Sequence, residues 1–243
     1  MDGVLRCSRY AFGPNRLHYC GPDANAEVSA YIQAGASDPG LFSILKQFHT
    51  MYPYLQMIAW ANGIADPFHP RVVEAYWLGN NLLTGVSKQQ LFLHLAERLR
   101  LKRRLKPAEF DLITKAISQG AVPHHNFHVF GVWRRTGHEK REHTLASLDA
   151  CRVSWGKVKK VSGPVLIIET PPLILTEGKL SLGKPVVKKI TRQLESYYDI
   201  EQIKAGELLS LHWGVPCEVI TKKQAQILKQ LTLKHLAIAN QSL

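Results

Sequence analysis

The stretch CRVSWGKVKKVSGPVLIIETPPLIL, residues 151–175, decides the fold class. Its short apolar runs, rich in β-branched residues, are broken by turns and read as strands. Downstream, KLSLG (179–183) and ELLSLHWGVPCEVI (207–220) continue the same rhythm, that of a small β-barrel. The segment TKKQAQILKQLTLKHLAIANQ (221–241) then reads as an amphipathic helix.

Working back from Cys151, the texture is helical. LFSILKQFHTMYPYLQMIAWANGI (41–64) has apolar residues at helical spacing, and Pro53 is expected to kink or split it. Pro70 marks a helix start, Ser87 and Gln90 have capping-box spacing, and a further helix runs from Pro107 to a cap at Gly120. The first 24 residues, rich in Gly, Pro, Asn and aromatics, read as an ordered but irregular entry segment. HHNFHVFGVWRR (124–135) alternates and reads as a strand, and TLASLDA (144–150) as one or two helical turns. The expected fold is α+β: a mostly helical domain over 1–150, then a small OB-like β-barrel with a C-terminal helix over 151–243.

The chain has 243 residues and ordinary apolar content, so a sizeable core can form. No apolar stretch approaches the ~20 residues of a membrane span, and MDGVLRCSRY lacks a signal-peptide core. A cytoplasmic protein without a membrane partner is expected. None of the four cysteines, Cys7, Cys20, Cys151 and Cys217, lies in a CxxC pair, which argues against a zinc ribbon. In a reducing cytoplasm they are expected as thiols. The net charge of +12 favours acidic partners. The dense run RLRLKRRLK (98–106) reads as the solvated end of a helix, and no aromatic-studded platform supports nucleic-acid binding.

Cys151, Gly156, Lys157 and Val158 stand in the pattern C-x-x-x-x-G-K-V, and Gly206, Glu207, His212 and Gly214 fall in register with a second motif, G-D-x-V-x-V-H-x-G. With these two motifs, residues 151–243 resemble the HypC/HupF family of small chaperones of NiFe-hydrogenase maturation. The resemblance implies that Cys151 is the thiolate ligand of an iron carrying cyanide and carbon monoxide. It implies that His212 supports that site. The expected partners are hydrogenase maturation proteins or the hydrogenase large subunit. Arg152, Lys157 and Lys159 are expected to favour the thiolate. The runs YPYLQMIAWANGI, RVVEAYWLGN and RTGH resemble an uncharacterised bacterial and archaeal family.

Five of the eleven histidines, His124, His125, His128, His138 and His143, lie in one segment. On a strand, His124 and His128 share a face and His125 takes the other. Two or three imidazoles converging on a divalent metal, with Glu74 or Asp66 as further ligands, is one reading; surface histidines are the other. In the entry segment Cys7, His18 and Cys20 are further candidate metal ligands. Arg9, Asn15 and Arg16 are candidate anion binders, with Arg9 and Cys20 as candidate substrate contacts. Three functions stay open: an accessory protein of metal-centre assembly, a non-haem iron or other metal enzyme supplying that centre, and a nucleic-acid- or protein-binding barrel.

Overall fold

The computed structural model describes residues 2–136, 144–191 and 202–242. His138 and His143 lie outside the described residues. The N-terminal half is helical: α1 (Gly3–Arg16), α2 (Asn25–Ala34), α3 (Pro39–Lys46), α4 (Met51–Ala61), α5 (Pro70–Trp77), α6 (Lys88–Leu93), α7 (Leu101–Arg104), α8 (Pro107–Ser118), α9 (His125–Phe127), α10 (Arg134–Thr136) and α11 (Leu145–Cys151). Two π-helical turns interrupt it, His94–Arg98 and His128–Trp133. Seven strands follow: β1 (Ser154–Ser162), β2 (Val165–Thr170), β3 (Leu173–Thr176), β4 (Lys179–Leu182), β5 (Val186–Thr191), β6 (Leu208–His212) and β7 (Val215–Ile220). Then comes α12 (Lys222–Ala239).

The strands form an antiparallel five-stranded sheet in the order β5-β2-β1-β6-β7 and a separate β3–β4 hairpin. Among the described residues β5 and β7 are edges, and no pairing joins them. Nor does any helix there have the length and apolarity to cross a membrane.

Several helix signals act as expected. Pro53 falls in the first turn of α4, and the long apolar stretch splits into α3 and α4 ahead of it. Ser87 Oγ accepts from Gln90 N at 3.1 Å while Gln90 Oε1 accepts from Ser87 N at 2.8 Å, closing the capping box of α6. Along α12, Ala225, Leu228, Thr232, His235, Leu236 and Ala239 form the buried stripe.

Three expectations are corrected. The entry segment is the helix α1, capped by Asp2 Oδ2 accepting from Leu5 N at 2.8 Å. It is buried on nearly every side, Arg6, Ser8, Arg9 and Asn15 included, so its polar residues do not mark a solvent face. The segment expected as a strand is helical from His125: its aromatic and β-branched residues reflect the burial of 125–132, not sheet pairing. Cys151 ends α11, and the first strand begins three residues later at Ser154.

The helical half meets the sheet through α1. A Cβ on Gly13 would stand 2.7 Å from the His212 carbonyl oxygen, so only glycine lets α1 approach the end of β6 this closely. Nearby, Arg6 Nε donates to Glu218 Oε1 at 2.9 Å, and Tyr10 Oη donates to the same oxygen at 2.6 Å. One apolar cluster runs from Leu5 and Tyr10 through Val158 and Leu166 to Cys217.

Histidines are buried across this core. Burial pushes His94 and His124 down to about 3, and His235 well below the ordinary histidine range. Each stays neutral when folded but takes a proton on unfolding once pH drops below ~6.5. Their stabilisation is therefore complete above that pH. It declines as pH falls towards the folded-state values, by ~1.4 kcal/mol per pH unit for each group. The melting temperature is expected to fall steeply as pH is lowered from neutral to mildly acidic, and His94→Gln should flatten that slope by about one proton. A melting temperature indifferent to pH across that window would show that these imidazoles titrate freely.

Candidate metal centre

Three ligand atoms converge where three elements end. His125 opens α9, Cys151 closes α11 and His212 closes β6. Their ligand atoms all lie within 4.8 Å of one another. Ligands sharing a tetrahedral ion at ~2.0–2.3 Å stand ~3.5 Å apart, so a small contraction would seat one.

Local chemistry brings them together. Asn126, fully buried, accepts from Val153 N at 2.8 Å and donates to Val153 O at 3.0 Å and to Thr232 Oγ1 at 2.9 Å. It thereby ties α9 to the chain just past Cys151. Trp213 N donates to Ala150 O at 2.8 Å, bringing the residue after His212 to the residue before Cys151. Asn126→Ala would strand the buried Val153 N–H and C=O. It is expected to destabilise the fold by ~3 kcal/mol in chemical denaturation. A change within ~0.5 kcal/mol, the scale of a neutral surface substitution, would mean that the clamp carries no weight.

His212 Nδ1 donates to Tyr10 O at 2.6 Å, which leaves Nε2 as the lone-pair nitrogen. That Nε2 is buried and has no hydrogen-bond partner. A carbonyl holding one ring nitrogen while the other faces a ligand set is how metal-binding histidines are oriented. His125 Nε2 donates to Cys151 O at 2.9 Å and Nδ1 accepts from Tyr76 Oη at 3.2 Å, so to ligate through Nδ1 it must release the Tyr76 hydroxyl. Its ring meets His212 edge-on at 4.9 Å and Trp77 at 4.6 Å.

Burial pushes His212 down to about 4 and His125 well below the usual range, His212 adding to the latter effect. Burial also pushes the Cys151 thiol up, with Cys20 adding to the rise and the Trp213 side chain opposing it. The expected cationic activation of Cys151 does not occur. Arg152 turns away to Asp149 at 2.7 Å and to Pro171 O, while Lys157 and Lys159 project from β1 into solvent. Without an ion the trio is a thiol and two neutral imidazoles. A bound divalent cation would itself supply the field that ionises the thiol.

The trio borders a cavity of about 340 Å³. His128, 9% exposed, lines it too, as do Cys20, Trp77 and Trp213. His128 Nδ1 faces Tyr54 Oη at 3.4 Å. The other candidates lie elsewhere. His124 caps α9 by accepting from Asn126 N at 3.1 Å and stacks on His235, so the expected pairing of His124 with His128 gives way to His125 with His128. Arg9 is buried beside Cys217, away from the cavity. Glu74 serves Arg6 and Gln224, Asp66 caps Phe68 N, Cys7 lies against Met51, and His18 pairs with Asp23. Asn15 holds the Cys20 loop through the carbonyls of Cys20 and Pro22, and Arg16 stands over the Phe12 ring.

Sequence reasoning missed Tyr10 and Tyr76, which orient the two imidazoles, because such contacts join residues far apart in the chain. It also missed that Arg98, Arg100 and Arg104 border the cavity, although the dense basic run flagged them.

A protein-family model described as "Family of unknown function (DUF6390)" matches residues 1–243, and the chain belongs to that family. No curated protein matches the chain. No solved structure matches it.

Proposed function

We propose that this protein is an accessory factor of NiFe-hydrogenase metal-centre maturation, holding an iron fragment through Cys151, His125 and His212. The observation that carries the reading is the convergence of those three ligand atoms within 4.8 Å beside a cavity. Thiolate with imidazole is a donor set for iron, zinc or copper, and the unpartnered Nε2 of His212 fits it. Three protein ligands leave a coordination position open, as a site that accepts and releases cargo needs and a closed structural site does not. The iron, with its cyanide and carbonyl ligands, is cargo in this reading. Cys151 supplies the strong donor, and the Tyr10 carbonyl keeps His212 Nε2 turned to the site.

The motifs around Cys151 and His212 support a HypC-like module, with the five-stranded sheet, hairpin and α12 as an OB-like barrel. The cytoplasm and the hydrogenase large subunit or its maturation proteins are the corresponding compartment and partners. The cavity beside the trio favours a second reading, a metal-dependent enzyme that makes a ligand or precursor for the same centre.

The test is purification under strict anaerobiosis from cells assembling a NiFe-hydrogenase, with metal analysis and infrared spectroscopy. Near-stoichiometric iron with cyanide or carbonyl bands supports the chaperone reading; iron without them supports the enzyme; no bound metal contradicts both.

A further inference from the structure

The cavity beside the trio has a second chemical feature, at its mouth. Arg98, Arg100 and Arg104 all line it, and all three side chains are exposed to solvent. The segment that carries them runs from the π-helical turn His94–Arg98 through Arg100, in a left-handed conformation at φ 55°, into α7. A non-glycine residue adopts that conformation at an energetic cost, and such strain clusters at binding sites.

No aspartate or glutamate lines the cavity among the described residues. Nor does any ion pair there neutralise these arginines; Arg98 donates to the Gln56 amide at 3.2 Å. The same cavity has apolar and aromatic wall residues, Phe48, Leu101, Val132, Tyr76 and Trp77, and the trio also borders it. Arg104 is close enough to add to the burial that holds His128 down at about 3, so this cavity-lining imidazole adds no charge beside the arginines.

The geometry points to a binding site for a small organic anion, whose carboxylate or phosphate sits on Arg98, Arg100 and Arg104 and whose apolar body extends along the aromatic walls towards Cys151. Guanidinium groups bind both acid types through paired N–H donors. The cavity, about 340 Å³, is of a size that encloses a small molecule but not a macromolecular segment. An uncharged ligand would leave three cations unanswered, and a cation would be repelled. This deepens the metal-centre reading by giving the class of molecule that reaches the open coordination position, and it rests on that reading only at its inner end.

Isothermal titration of protein loaded anaerobically with ferrous iron, and of iron-free protein, tests it with three probes: phenyl phosphate, benzoate and uncharged benzyl alcohol. Both anions, or whichever acid type the arginines prefer, should bind saturably and at least about tenfold more tightly than benzyl alcohol. The triple variant R98Q/R100Q/R104Q should lose at least about tenfold in anion affinity, with its melting temperature and iron content unchanged, because the three side chains are solvent-exposed. Cys151→Ser should lose iron yet keep the arginine-dependent part of anion binding. No saturable binding of either anion overturns the inference. So does equal anion affinity in the triple variant, or benzyl alcohol binding as tightly as the anions. Arginine-dependent anion binding by a protein that takes up no iron would uphold the anion site and sink the metal reading; iron uptake with arginine-independent binding would do the reverse.

Discussion

Glu218→Ala is expected to lower stability by ~3 kcal/mol, because it leaves the Arg6 guanidinium charged inside the protein. Arg6 and Glu218 are each 8% exposed and meet at 2.9 Å, with Tyr10 Oη donating to the same carboxylate oxygen. Breaking a buried pair by removing one partner costs ~3–5 kcal/mol. The lower end applies because Glu74 Oε2 remains 3.8 Å from Arg6. For a chain of this size the loss corresponds to a melting temperature lower by roughly 6–12 °C. The double variant Arg6→Met/Glu218→Leu should recover most of it, since two apolar side chains leave no buried charge. If the double variant is as unstable as Glu218→Ala, the damage comes from packing rather than from the orphaned cation. The effect reaches the site as well: the residue that bonds Glu218 through its phenol, Tyr10, holds His212 through its carbonyl.

Cys151→Ser should abolish metal binding while the fold survives. Loss of a group that merely orients a ligand lowers metal affinity by ~10–100-fold, so loss of the only sulfur in the trio should exceed ~100-fold. Serine preserves size, so the metal-free protein should stay folded, with a melting temperature lower by only about a few degrees. His212→Ala should also lose the metal. His128→Ala, which alters the same cavity outside the trio, should retain it. Equal metal content in Cys151→Ser and wild type, measured after anaerobic loading and desalting, would remove the thiolate from the site.

Much of the fold could be read from local signals. Pro70, the Ser87–Gln90 box, Gly120 and the stripe along α12 each act within a few residues, so sequence carries them directly. The failures share one physical cause. Helix α1 and residues 125–132 are buried together with polar side chains, Arg6, Arg9, Asn15, His125 and Asn126 among them, so the polar solvent face that marks a surface helix is missing. At the site, Cys151 and His212 stood out through their motif. His125 was one of five histidines and was assigned to the wrong face, because its side chain follows helical rather than strand geometry. The hydrogen bonds that single it out, to Tyr76 and to the Cys151 carbonyl, span 49 and 26 residues and have no local signature.

If His125, Cys151 and His212 hold one ion together, all three must appear in its coordination shell. Extended X-ray absorption at the iron edge of the anaerobically loaded protein addresses it directly. The expected shell contains one sulfur at ~2.3 Å and two imidazole nitrogens at ~2.0–2.1 Å, close to the distances these ligands take on zinc. In Cys151→Ser the sulfur contribution should vanish. A shell of oxygen or nitrogen alone in the wild-type protein, or a sulfur that persists in Cys151→Ser, would contradict the account.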